Sequence, residues 1–115
     1  APASFVAANP DVVAKFLAVT AKANAAWNDG SMTAMMLPVI ANDAGMDEDA
    51  TAETMATFVF PSVDDQLSDA WLGGNAQTFM KGVADVFVES GSIPSANDNY
   101  DGNVNVDGLM AASSM

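Results

Sequence analysis

The stretch Asn9-Pro10-Asp11-Val12-Val13-Ala14-Lys15-Phe16-Leu17-Ala18-Val19-Thr20-Ala21-Lys22-Ala23-Asn24-Ala25-Ala26-Trp27-Asn28 decides the fold class. Asn is a favoured N-cap, Pro is pre-organised for the first helical position, and an acid next to it suits the positive end of the helix dipole. Val13, Phe16, Leu17, Thr20, Asn24 and Trp27 step by three or four residues, which predicts one helix face, apolar apart from two members. Ala18, Ala21, Ala23, Ala25 and Ala26 allow neighbouring helices to approach closely, and Asp29-Gly30 ends the segment.

Downstream the same signals recur. Ser31 is placed to cap a second helix carrying Met32, Met35, Met36, Val39 and Ile40, with Pro38 inside it as a kink or as its true start and Gly45 as its stop. Asp47, followed by Glu48 and Asp49, predicts the cap and first turn of a short helix through Met55. Phe58-Val59-Phe60-Pro61 reads as extended, because a residue before proline is steered from helical angles. Ser62-Val63-Asp64-Asp65 opens another short helix to about Asp69, and Trp71-Leu72-Gly73-Gly74 turns the chain. A last long helix is expected from about Asn75 to Ser90, with Phe79, Met80, Val83, Val86 and Phe87 as its core stripe and Gly91 just past its end. After Ile93-Pro94 the composition shifts to Ser, Asn, Asp and Gly. The expectation is a mainly α chain of about four to five helices, with a helical region over residues 1–94 and an irregular Asn/Asp/Gly-rich tail over 95–115 that crosses the surface or frays.

Composition narrows the function. The chain has 115 residues, half of them hydrophobic, so one folded domain with a core is expected. Fifteen acids against three basic residues, all lysine, give a net charge of −12. Lys15, Lys22 and Lys81 are too few and too scattered to neutralise phosphates, which argues against nucleic acid as a partner. The acid excess fits solubility or a saline setting. Without Cys or His there are no disulfides, thiolate nucleophiles or imidazole bases. No apolar run reaches the ~20 residues that cross a bilayer. The chain opens on Ala1-Pro2 with no basic and apolar leader, which reads as a processed or excised piece.

Few motifs carry chemistry. Asn97, Asn99, Asp101 and Gly102 occupy positions one, three, five and six of a calcium-loop pattern, so Asn97, Asn99 and Asp101 are the candidate metal ligands; the twelfth position is Gly108, not the bidentate Glu, and a series of Asx turns is the preferred reading. Asp64, Asp65 and Asp69, and likewise Asp47, Glu48 and Asp49, read as helix-start acids rather than as an acid/base pair. The methionines of the second helix read first as adaptable core filling and second as a surface covering a missing part. No phosphate loop, nucleophile elbow or zinc signature is present, so no enzyme activity and no cofactor are expected.

Laid in order, three stretches resemble the C-terminal part of the periplasmic substrate-binding proteins of taurine, sulfonate and nitrate ABC transporters. Phe5 through Leu17 is similar to the family's F-x-x-x-(H/N)-P-(D/E)-x-V-x-x-F opening. Phe58 through Leu67 is the second stretch. Val83 through Pro94, leading to Asn99-Tyr100, is similar to the family's ending with its Gly, Ile-Pro and Tyr. The region around Pro38 and Met46 departs from the pattern.

The resemblance implies a two-lobed α/β binding protein (type II) in the complete protein, periplasmic and monomeric, which closes on taurine or another small anion and docks on an ABC permease. The pocket in such proteins is built largely from preceding chain, and no motif residue of it maps onto this sequence. Trp71 and Tyr100 are the candidate ligand-contacting residues, as the large groups near family-like turns. The competing expectation is a free-standing acidic helical interaction module whose Met-rich face binds a partner helix.

Overall fold

In the computed structural model, which describes residues 1–115, the carbonyl of Pro2 accepts from the N–H groups of Phe5 and Val6 and starts a short helix, α1 (Ala3–Ala8). Asn9 separates it from α2 (Pro10–Asn28), leaving α1 with φ −136°. The side chain of Asn9 turns backwards, its Nδ2 donating to the Phe5 carbonyl, so it closes α1 instead of capping α2. Its own carbonyl accepts from the Val13 N–H and begins α2 where Pro10 predicts it.

Five more α-helices follow: α3 (Thr33–Ala44), α4 (Glu48–Met55), α5 (Val63–Leu67), α6 (Asn75–Glu89) and α7 (Asp107–Ser113), with a single 3-10 turn at Asp101–Asn103. The chain is mainly α, as its patterning predicts. It divides into two units, Val19–Ser62 and the remainder, Ala1–Ala18 with Val63–Met115.

In the unit Val19–Ser62, α3 packs on α4. Met32, not Ser31, occupies the N-cap position of α3 and makes no side-chain cap; the Ser31 N–H instead donates to Asp29 Oδ1 at 2.7 Å. Pro38 lies inside α3, which continues through it with one fewer backbone donor. Gly45 ends the helix at φ 67°, a left-handed conformation that costs glycine little. Asp47 caps α4 as its sequence predicts, with Oδ1 accepting from the Ala50 N–H at 2.8 Å. Behind it Thr51 is buried, its hydroxyl satisfied by the Asp47 carbonyl. Asn28 Nδ2 donates to the Phe60 carbonyl at 2.7 Å and ties the end of α2 to the segment after α4, where the Phe58 and Phe60 rings meet edge to face.

In the other unit the core is built mostly from small side chains, Ala14 and Ala18 of α2, Ala84 of α6 and Ala112 of α7, with Leu109 of α7 its one large member. The larger apolar groups take the opposite side. Phe16 is 70% exposed, as is Phe79, with Val83, Val86 and Phe87 beside it on α6. This corrects the expected core: α6 buries the side carrying Ala84 and turns the Phe79, Val83, Val86 and Phe87 stripe outward, leaving only Met80 of that set partly covered. Met32, Met35 and Val39 of α3 are likewise exposed.

The end of the chain corrects a second expectation. Residues 95–115 do not fray: α7 packs on α5, and Gly108 lies so close to α2 that a Cβ there would sit 2.9 Å from Val13 Cγ1. Asx turns lead into it, with Asn99 Oδ1 accepting from the Asp101 N–H and Asn105 Oδ1 from the Asp107 N–H. The sequence signal for α7 is weak, since Leu109 is the only large aliphatic between Asp107 and Ser113, and one side chain defines no periodicity.

Two substitutions test this packing. Leu109→Ala removes the one large buried anchor of α7 and is expected to destabilise the fold by about 2–5 kcal/mol in chemical denaturation. Gly73 and Gly82 should respond to alanine with opposite signs. A Cβ at Gly73 would lie 2.8 Å from the carbonyl oxygens of Leu67 and Ser68, so Gly73→Ala should cost about 1–3 kcal/mol. Gly82, in the middle of α6 with open space around it, should gain about 0.5–1 kcal/mol as Ala, read as a higher melting temperature.

Candidate functional site

The turn between α5 and α6 is closed by stacked backbone bonds: Leu72 N–H to the Gln66 carbonyl, Gly73 N–H to that of Ser68, and Asn75 N–H to that of Asp69. This turn delivers the first residues of α6 with Gln77 inward. Gln77 Nε2 donates to the Leu72 carbonyl at 2.8 Å, while its Oε1 is buried with no partner.

The loop after Pro94 returns to this end of α6. It brings Asp98, Asn99, Tyr100 and Asp101 opposite Gln77, Thr78 and Lys81, and the two sides line an open cleft of about 330 Å³. Of the residues the sequence singles out, Asn99, Tyr100 and Asp101 meet here; Trp71 and Asn97 are not among those lining the cleft. Trp71 sits on the turn itself, 43% exposed. The partners from α6 carry no sequence signal, because nothing local marks which face of α6 the loop will cover.

The charge in this cleft is mixed. Asp98 and Asp101 face Lys81, whose ammonium is already bonded to Asp85 one turn along α6. The Thr78 hydroxyl bonds back to the Gly74 carbonyl, as Thr inside a helix commonly does, and is not held by any base. The lining therefore offers polar contacts to a small molecule and no activated nucleophile.

The calcium-loop pattern does not close into a loop. Asn99 Oδ1 is engaged by the Asp101 N–H, and Gly108, at the twelfth position, is inside α7 against Val13 and Leu17. No three acidic side chains are grouped to hold a metal ion, those of Asp64, Asp65 and Asp69 and of Asp47, Glu48 and Asp49 included.

A second cleft, of about 590 Å³, is apolar. Phe5 of α1 and Val12, Val13, Phe16 and Leu17 of α2 line it, with Asn103 and Asn105 at its polar edge. Sequence reasoning missed it by assigning Phe16 to a buried face. The signal was present in Val12 and Phe16, spaced by one helical turn on the side away from Ala14 and Ala18.

No protein-family model, no curated protein and no solved structure matches the chain.

The one displaced acid lies outside both clefts. Hydrogen bonds from the Ser31 side chain and from its backbone N–H hold the Asp29 carboxyl below the usual carboxylate range. A carboxyl lowered in the folded state adds stability above its unfolded pKa, and that stability is lost as pH falls through the folded value. Ser31→Ala removes the larger cause, so the Asp29 midpoint in an NMR titration should move up toward the ordinary value while the remaining backbone bond keeps it slightly low.

Proposed function

We propose that this chain is the helical C-terminal subregion of the solute-binding component of an ABC importer for taurine or a related small anion. The observation that carries the reading is the outward apolar face of α6. A helix whose Phe79, Val83, Val86 and Phe87 point away from its own unit, while Ala84 is the residue it buries, has the patterning of a helix that lies between two layers. In a two-lobed α/β binding protein such a helix covers a sheet, and the sheet would come from the rest of the protein.

Two further features support it. The three family-like stretches fall in order on α1 and α2, on the Phe58 to Leu67 connection into α5, and on α6 with the loop after Pro94. The only cations are three lysines, so the chain is poorly equipped to hold a sulfonate by itself, which fits a supporting role beside a pocket built elsewhere. The mechanism is then ligand-driven closure of the complete protein in the periplasm, followed by docking on the permease, and involves no bond chemistry.

The exposed Met32, Met35 and Val39 of α3 favour a second reading, an acidic helical module that binds a partner helix through this face. Intact mass of the native protein, with calorimetric titration of taurine into it, separates the two. A native chain severalfold longer than 115 residues that binds taurine saturably is the expected result. A native chain of this length, folded and indifferent to taurine, would overturn the importer reading and leave the module.

A further inference from the structure

We infer that Asp101-Gly102 is the site at which this chain modifies itself, the aspartate passing through a cyclic imide to isoaspartate. The inference goes beyond the importer reading and does not depend on it.

The chemistry is intramolecular. The Gly102 backbone nitrogen attacks Cγ of the Asp101 side chain, the carboxyl hydroxyl leaves as water with the amide proton, and a five-membered imide closes. Water then opens the ring at either carbonyl. Attack at the former backbone carbonyl leaves the chain running through Cγ, which is isoaspartate; attack at the other restores aspartate. One water leaves and one returns, so no oxidant or further reactant is needed.

Ring closure requires an unhindered residue after the aspartate, a free carboxyl and a backbone with room to turn. Glycine follows aspartate at three places: Asp29-Gly30, Asp101-Gly102 and Asp107-Gly108. The fold treats them differently. At the first, the Ser31 hydroxyl and backbone N–H bond the Asp29 carboxyl and hold it below the usual carboxylate range, so little of it is in the neutral form from which water can leave. The Gly30 N–H is itself bonded to the Trp27 carbonyl. At the third, Gly108 lies inside α7 with Val13 and Leu17 of α2 too close for a methyl group, and the packed backbone has no room to turn.

Asp101-Gly102 has none of these protections. Both residues are exposed, and the Asp101 carboxylate bears no hydrogen bond. The Gly102 N–H stands at the open start of the 3-10 turn without a backbone acceptor, and a Cβ on Gly102 would meet nothing within 4 Å. Isomerisation would remake this turn. In isoaspartate the Asp101 carbonyl leaves the main chain and becomes a free carboxylate, so the Val104 N–H loses its acceptor. One carbon is also added to the backbone between Tyr100, which lines the polar cleft, and α7.

The test is peptide mapping of the full chain after warm incubation at mildly acidic pH. Isoaspartate is recognised by separate elution at unchanged mass and by its electron-transfer fragments, and the imide by a mass lower by one water. The folded chain should convert at Asp101 severalfold faster than at Asp29 or Asp107. In denaturing urea the three sites should converge, since the fold alone separates them. Gly102→Ala enters open space and should keep the parent's circular dichroism while slowing conversion at Asp101 severalfold. Asp101→Glu, which keeps the charge on a longer arm, should abolish it.

Conversion in the folded chain as fast at Asp29 or Asp107 as at Asp101 would overturn the inference. So would a ranking unchanged in urea, no detectable conversion at Asp101, or a rate indifferent to Gly102→Ala.

Discussion

The constraint on which the unit Ala1–Ala18 with Val63–Met115 depends is that alanine fills most of its buried positions. Ala14 and Ala18 of α2, Ala84 of α6 and Ala112 of α7 are buried, and no large side chain is fully buried beside them. Close backbone approach is also why Gly108 is required beside Val13 and Leu17. Such a core gains less from the hydrophobic effect than one of Leu and Phe, since a buried methyl(ene) is worth about 0.8 kcal/mol against roughly 1.5–3 for a large apolar side chain. The groups that would gain most are on the outside.

Small side chains inside and large ones outside are one geometric choice, not two. An α-helix has a limited circumference: α2 carries Ala14 and Ala18 on one side and Val12 and Phe16 on the other, and α6 buries Ala84 while Phe79, Val83, Val86 and Phe87 are exposed. Once the alanine sides face inward, Val12 and Phe16 on α2 and the Phe79 stripe on α6 have nowhere to go but out. The apolar cleft of Phe5, Val12 and Phe16 is the same consequence seen from α1. The polar cleft at the start of α6 arises from the opposite end of the rule: where the inner side carries Gln77 and Lys81 in place of alanine, the covering loop meets it with Asp98, Asn99 and Tyr100.

Local chemistry was legible in the sequence where a single residue decides a boundary. Pro10 starts α2, Asp47 caps α4, and Gly45 and Gly91 take positive φ where helices stop. Short elements without such markers were not legible: α1 has no side-chain cap, and α7 has only the adjacent Leu109 and Met110, which define no period, among small and polar residues. Orientation was legible least. Periodicity shows that α6 has an apolar side but not that this side faces outward, because inward and outward differ only in what lies opposite. For the same reason Tyr100 could be named from the sequence as a contact candidate while Gln77 and Lys81 could not. Their meeting depends on a loop closing over roughly twenty residues, and the pull that closes it is spread over backbone bonds and Asx turns.

The charge of the chain joins these threads. Exposed Phe and Val would ordinarily drive association, and a charge of −12 opposes association with anything of like sign. Apolar surface and acid excess act on association in opposite ways: exposed Phe and Val favour burial without choosing what buries them, and like charge repels acidic surfaces, copies of the chain included. Three lysines scattered along the sequence do little to offset that repulsion. Phe79 and Phe87 nonetheless stand on the outer face of α6, where burial would gain most and where the charge of the chain opposes association with anything acidic.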